Sequence, residues 1–370
     1  MKIVFLSNYF NHHQKPFSDE MYGLIGCDYT FVETSQMPDF RKKLGYGSIV
    51  YPDYVVKYSE YNEHVQNIVD EADIVLFGSA PESMLSTRKK ENRIILRYSE
   101  RPLKRKISIF KYIYCFIKWN ILSPFWKPIY MMCASAYTSS DFHKFLLFYG
   151  KCYKWGYFPQ VPNYSEVSSI IESKQKHSLL WVGRLIDWKH PEIVVQLAAA
   201  LKKEKIAFTM NIIGTGEMQE KIQHMIKDLD ISDNVHFLGQ MPPEKVNEYM
   251  EKSEIFISTS DRNEGWGAVI NEAMGAACAT ISARTVGAAP FLIKQKENGF
   301  MYDDFNELVE FTKECLKDSV LRKKISQKAF DTMFNEWSPR VAAKRFLLLC
   351  ELLIADGKCD CFKSGPCSRA

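Results

Sequence analysis

Compact apolar runs rich in β-branched residues recur along the chain, each followed by a small or polar loop and then by an amphipathic stretch. Lys2–Ser7, Tyr29–Val32, Ile74–Phe77, Ile94–Tyr98 and Ala134–Ser139 form one series; Leu179–Val182, Phe208–Ile213, Val235–Gly239, Glu254–Ser258, Ala279–Ser282 and Phe300–Tyr302 form a second. Short uninterrupted apolar runs suit strands covered on both faces, the situation in a parallel sheet flanked by helices. Helices are expected at Pro16–Leu24 and Glu60–Glu71 in the first series, and at Pro191–Lys203, Glu217–Leu229 and Pro242–Met250 in the second. This alternation predicts an α/β protein of two Rossmann-like, doubly wound parallel-sheet domains facing a cleft. A chain of 370 residues is long enough for two such cores. The predicted boundaries are a first domain at 1–160, a linker at 161–176 and a second domain at 177–338, then a helix at 339–356 and a flexible tail at 357–370.

Composition narrows the function classes. With 46% hydrophobic and 25% charged residues the chain is globular, and a net charge of +4 lacks the concentrated basic excess of a dedicated nucleic-acid binder. No apolar stretch reaches the roughly 18 residues of a spanning helix, and no cleavable signal is expected after Ser7-Asn8. Ten cysteines scattered through predicted strands and helices suit reduced thiols and a cytoplasmic location. Cys359, Cys361 and Cys367 stand in the tail, read as a frayed terminus with metal binding as the alternative.

In open α/β sheets ligands collect at the carboxyl ends of the strands. The most informative such loop follows Glu254–Ser258 and runs through Glu264-Gly-Trp-Gly-Ala-Val-Ile-Asn-Glu272. Gly265 and Gly267 permit a sharp turn, and a helix is expected to start near Trp266. The first amides of that helix, around Gly267 and Ala268, would then face a phosphate. Glu272 is expected about two turns further on, too far to cap the helix and placed to grip hydroxyl groups. Glu264 can reach another part of the same ligand. Gly183, Arg184 and Lys189 occupy a second strand-to-helix loop, closed by Pro191, whose cations suit a pyrophosphate. Gly214-Thr-Gly216 makes a third short loop, without the further glycine and distal acid of a nicotinamide fingerprint. Asp228-Leu-Asp230 ends an amphipathic helix and is read as solvated, so no metal is predicted.

Two glutamates separated by seven residues, with a Gly-Arg and a lysine on an earlier strand-end loop, resemble the retaining GT-B glycosyltransferases of family four, the glycosyl transferases group 1 enzymes. The resemblance implies that Glu272 binds ribose hydroxyls, that Glu264 binds the sugar, and that Gln240 and Met241 pack on the nucleobase. It also implies that the last helix crosses back onto the first domain. His190 replaces a family glycine after the lysine, and Gly287-Ala288 with Phe291 replaces a double glycine and a glutamate. Position and resemblance together give the donor-site candidates Gly183, Arg184, Lys189, Gly214, Gln240, Met241, Glu264, Gly265, Trp266, Gly267, Ala268 and Glu272, with Glu264, Arg184, Lys189 and, by position alone, His13 as catalytic candidates. The implied donor is a UDP- or GDP-sugar, and no cofactor is expected.

In the first half, His12 and His13 follow the first strand and Glu100 follows the fourth; all three are candidates for acceptor or sugar contacts. Leu103–Met132 interleaves Lys104, Arg105, Lys106, Lys111, Lys118 and Lys127 with eight aromatic rings. It reads either as an anionic-membrane surface or as two core-facing helices with outward lysines. The function expected is metal-independent sugar transfer with retention to a glycan or polyprenyl-diphosphate-linked acceptor, in cell-surface polysaccharide biosynthesis at the inner membrane face. The alternative is a non-catalytic sugar-nucleotide-binding subunit.

Overall fold

A computed structural model describes residues 1–38, 50–57, 62–105 and 107–370; Glu60 and Lys106 fall outside the described residues. The chain forms two compact units, Met1–Gln160 with Trp337–Ala370, and Val161–Glu336. The first contains β1 (Ile3–Ser7), β2 (Tyr29–Glu33), β3 (Val55–Lys57), β4 (Ile74–Phe77), β5 (Ile94–Ser99), β6 (Ile129–Cys133) and β7 (Cys152–Lys154), ordered β3-β2-β1-β4-β5-β6-β7. The second contains β8 (Gln175–Val182), β9 (Thr209–Ile213), β10 (Val235–Gly239), β11 (Ser253–Ser258), β12 (Ala279–Ala283) and β13 (Phe300–Tyr302), ordered β10-β9-β8-β11-β12-β13. Every ladder between these strands is parallel. Central strands β1, β4, β11 and β12 are buried along their whole length, which is why their sequences do not alternate.

Several elements differ from expectation. Ala134–Ser139 is not a strand: the run Ile129–Cys133 takes that place between β5 and β7, because Pro124 and Pro128 interrupt the helical stretch before it. Leu103–Met132 is therefore one helix, Ile109–Leu122, followed by a turn and β6. Asp141 lies buried within the helix Thr138–His143, accepting from Arg101 Nε at 3.1 Å and from the Leu103 amide at 3.2 Å. Residues 161–176 are part of the second unit and include a helix, Val167–Ser173. Lys174 Nζ anchors them there through the carbonyls of Met250, Glu251 and Ala276 at 2.9–3.0 Å.

The tail is packed, contrary to its expected flexibility. Lys154 donates to the Ser368 carbonyl at 2.7 Å, Cys367 to the Lys154 carbonyl at 2.8 Å and Ala370 to the Cys152 carbonyl at 3.2 Å, so the tail covers the open edge of β7. Cys359 and Cys367 are buried. The helix Pro339–Asp356 lies in the first unit, where Phe346 meets Phe17 at 5.7 Å and Trp155 at 5.2 Å between ring centres.

Candidate functional site

In the second unit the strand order reverses between β8 and β11, so the loops leaving these neighbours diverge and open a crevice at their carboxyl ends. The loop after β8 carries Gly183, Arg184 and Lys189; the loop after β11 carries Glu264 to Ala268. The Lys189 ammonium forms an ion pair with the Glu264 carboxylate across this point, both groups largely shielded from solvent. Thr259 fixes the lysine's backbone: its hydroxyl donates to the Lys189 carbonyl at 2.5 Å and accepts from Trp181 Nε1 at 2.9 Å. Asp261 closes the same junction, its amide bonded to the Trp188 carbonyl at 2.9 Å. Neither Thr259 nor Asp261 carries a sequence signal, since each is an ordinary polar residue whose partner lies some 70 positions away.

His190 occupies the left-handed region, φ 47° and ψ 53°, as the N-cap of Pro191–Lys203. This is backbone that glycine adopts without strain. The turn is therefore made without the glycine, and the imidazole is held by Glu192 at 2.9 Å and Asp261 at 3.5 Å. Burial alone would lower the histidine's pKa, but the two carboxylates outweigh it and the net shift is upward. Arg184 is exposed, its guanidinium 5.6 Å from the centre of the Trp188 ring.

The helix after Glu264 starts at Val269, later than expected, with Ala268 as its N-cap. Gly267 at φ 90° makes the preceding turn, and a Cβ there would sit 2.7 Å from Val286 Cγ1. Glu272 consequently lies in the first turn, not two turns on. It is recessed and crowded by protein, yet part of it stays accessible. Burial raises its pKa to about 7, partly offset by Lys189. Trp266 is fully buried with Nε1 bonded to Asn271 Oδ1 at 2.8 Å, and its carbonyl accepts from the Ala288 amide at 2.8 Å. Gly265 is buried beside it. Gly214, at φ 145°, follows β9; a Cβ there would lie 1.8 Å from the Gly183 carbonyl oxygen, so the two loops touch backbone to backbone. Gln240 and Met241 follow β10 at the sheet edge, Gln240 exposed and Met241 packed on the apolar cluster around Leu180 and Phe256.

His12, His13 and Glu100 belong to the first unit. His12 and His13 follow β1, which with β4 flanks that sheet's own reversal of strand order. His13 stacks on Tyr157 at 5.6 Å. The Tyr157 hydroxyl donates to Glu100 Oε1 at 2.9 Å, and Lys104 pairs with Glu100 Oε2 at 2.5 Å. Burial, then the neighbouring Tyr98 and Glu100, hold the Tyr157 phenol well above its usual range, so it stays a donor. Tyr157 completes this cluster and carries no motif or strand-end signal in the sequence. Among the described residues, no group of three or more His, Cys, Asp or Glu side chains is placed to hold a metal ion.

The carboxyl-terminal sheet thus gathers two carboxylates, two cations and tight backbone turns around one strand-end crevice, on a chain of two Rossmann-like units of the GT-B class. The family model "Glycosyl transferases group 1" matches residues 166–332, which make up most of the second unit. The chain is 30% identical over 154 residues to the N-acetylgalactosamine-N,N'-diacetylbacillosaminyl-diphospho-undecaprenol 4-alpha-N-acetylgalactosaminyltransferase of Campylobacter jejuni, covering 41% of this chain and 40% of that one. It is 25% identical over 178 residues to the poly(ribitol-phosphate) alpha-N-acetylglucosaminyltransferase of Staphylococcus aureus, covering 45% and 34%. These aligned stretches span only about a third to two fifths of the curated relatives' length. The fold resembles HepE of Anabaena in complex with UDP, with a TM-score of 0.69, 16% identity, and coverage of 96% of this chain and 100% of that one.

Proposed function

We propose that the protein transfers a sugar from a nucleoside-diphosphate donor to a hydroxyl of a glycan or polyprenyl-diphosphate-linked acceptor, with retention of configuration and without a metal cofactor. The observation that carries this reading is the meeting of Lys189 with Glu264 at the strand-order reversal, beside the recessed Glu272. The HepE complex with UDP supports a nucleotide ligand for such a fold, and the diphospho-undecaprenol in the Campylobacter relative's name supports the acceptor class.

In this reading Glu272 grips the ribose hydroxyls and Glu264 binds the sugar, giving up part of its pairing with Lys189. Arg184 and Lys189 then face the diphosphate and stabilise the charge that grows as the glycosidic bond breaks. The amides of Gly267 and Ala268 add donors. Gln240 and Met241 lie beside the nucleobase. The departing phosphate takes the acceptor proton on the face it leaves, which gives retention. Glu100, His12 and His13 orient the acceptor.

The test is incubation with a panel of nucleotide sugars and NMR assignment of the product anomer, with and without chelator. Lys189→Ala and Arg184→Ala are expected to lower kcat more than they raise KM, because their interaction strengthens in the transition state. Inversion of configuration, or loss of turnover on chelation, refutes the corresponding part of the proposal. Donor binding without transfer or hydrolysis would instead assign a binding subunit.

A further inference from the structure

The outward face of the helix Ile109–Leu122 takes no part in the sites described above. At roughly 100° per residue, Ile109, Phe110, Ile113, Tyr114, Ile117 and Ile121 fill an arc roughly 140° wide. All six are exposed, Phe110 by 81% and Ile121 by 69%. The opposite face, with Tyr112, Cys115, Phe116 and Trp119, packs on the core of the first unit. The helix is therefore fixed to the fold by one apolar face and presents a second.

Two loops continue this surface. After the helix, Phe125 and Trp126 pack edge to face at 5.1 Å and are both exposed. The second loop is tied to the helix by Asn120 Nδ2, which donates to the Phe145 carbonyl at 3.0 Å, and by the Tyr112 hydroxyl on the Lys144 carbonyl. It displays Leu146 and Tyr149, with Leu146 held at φ 59°. This backbone ends the helix Thr138–His143, the Leu146 amide donating to the His143 carbonyl at 3.0 Å and the Leu147 amide to that of Phe142 at 3.2 Å, and it leaves the Leu146 side chain in water.

Charge selects the occupant. No Asp or Glu occurs between Glu100 and Asp141, a stretch that holds seven lysines and arginines. Lys111 and Lys118 are exposed and border the apolar arc. A second copy of the chain would set one cationic border against another. A phospholipid interface offers acyl chains to the apolar arc and anionic headgroups to its border. The helix is 14 residues long, about 21 Å against the roughly 30 Å of a bilayer core, so it lies in the interface plane. No described helix is long and apolar enough to cross a membrane.

We propose that this face, the helix Ile109–Leu122 with the loops at Phe125-Trp126 and Leu146–Tyr149, inserts into the interfacial layer of an anionic phospholipid bilayer. The proposal does not depend on the transfer chemistry.

The test is flotation of the full chain with vesicles of phosphatidylcholine, alone or with about a third phosphatidylglycerol. Wild-type protein is expected to float with the anionic vesicles, at least about tenfold more than with neutral ones, and to detach in high salt. The double variants Ile113→Asp/Ile117→Asp and Lys111→Glu/Lys118→Glu are each expected to cut binding by about tenfold or more. Both should keep the wild-type circular dichroism and Tm, since these side chains face outward. Brominated lipid is expected to quench wild-type tryptophan fluorescence, and the quenching should drop in Trp126→Phe. Absent binding, or binding indifferent to both double variants, overturns the proposal. So does a lipid-free dimer, seen by light scattering, that Ile113→Asp/Ile117→Asp dissociates, because the face would then belong to a second copy.

Discussion

Glu272 shows how much one side chain's role depends on its position in a turn. Because the helix begins at Val269, the carboxyl group sits in the first turn and is crowded enough to titrate near pH 7, up from 4.5. A raised carboxyl pKa means the folded chain holds its proton more tightly than the unfolded one, so this group's contribution to stability declines as pH rises from 4.5 to about 7. Ligand binding should run the other way if the ionised form accepts from the ribose hydroxyls. UDP affinity measured by calorimetry is expected to rise between pH 6 and 8 in the wild type (a window of about one unit either side of the group's pKa). The Glu272→Gln variant should lack this component and bind about tenfold or more weakly, as loss of a charged hydrogen bond of about 1.5–3 kcal/mol requires. His190 moves stability in the same direction with pH, through its carboxylate partners and not through burial. Its pKa is raised from 6.5, so the stability it draws from Glu192 and Asp261 is fully present below pH 6.5 and is lost as pH rises through its folded-state value. In urea titrations His190→Gly should therefore compare worst with the wild type at acid pH and improve as pH rises, since glycine also relieves the left-handed backbone.

At the scale of elements, the glycine loop after β9 matters because of what crosses it. A Cβ at Gly214 would lie 1.8 Å from the Gly183 carbonyl oxygen, and one at Gly216 would lie 2.3 Å from that of Leu185. Both obstacles are backbone and cannot rotate away. Gly214→Ala and Gly216→Ala are expected to push the loop after β8 out of place, costing about 3 kcal/mol or more and weakening nucleotide binding with it. Gly239 also has positive φ, 71°, but nothing lies within 4 Å of its would-be Cβ. Gly239→Ala should cost only about 1 kcal/mol, the backbone term alone. Equal losses in thermal unfolding at Gly239 and Gly214 would refute the contact between the two loops.

At the scale of the whole molecule, the chain leaves its first unit at Gln160 and returns to it at Trp337. The final residues complete that unit by covering the edge of β7. Deleting 357–370 removes the three main-chain bonds to Cys152 and Lys154 and the bond from the Cys359 amide to the Tyr153 hydroxyl at 3.1 Å. At about 1 kcal/mol each this is expected to lower Tm by about 8–16 °C, with the uncovered strand edge promoting aggregation. A truncated protein that melts with the wild type would make the tail incidental.

Sequence alone determined what rests on local pattern: most of the buried strands, most of the helices between them, and the seven-residue spacing of Glu264 and Glu272, whose resemblance to a known family needed no coordinates. It also marked 103–132 as unusual through its cations and rings. Only the tertiary structure decided which side of that stretch is covered, because Pro124 and Pro128 divide it and Ile129–Cys133 enters the sheet as β6. It likewise decided the start of the helix at Val269, set by the turn at Gly267, and the backbone of His190, held by Glu192 and Asp261. The pairing of Thr259 with Trp181 and Lys189, and the seating of the tail on β7, join residues roughly 70 to more than 200 positions apart. Periodicity and propensity act over a few residues, so contacts between residues this far apart leave no trace in either.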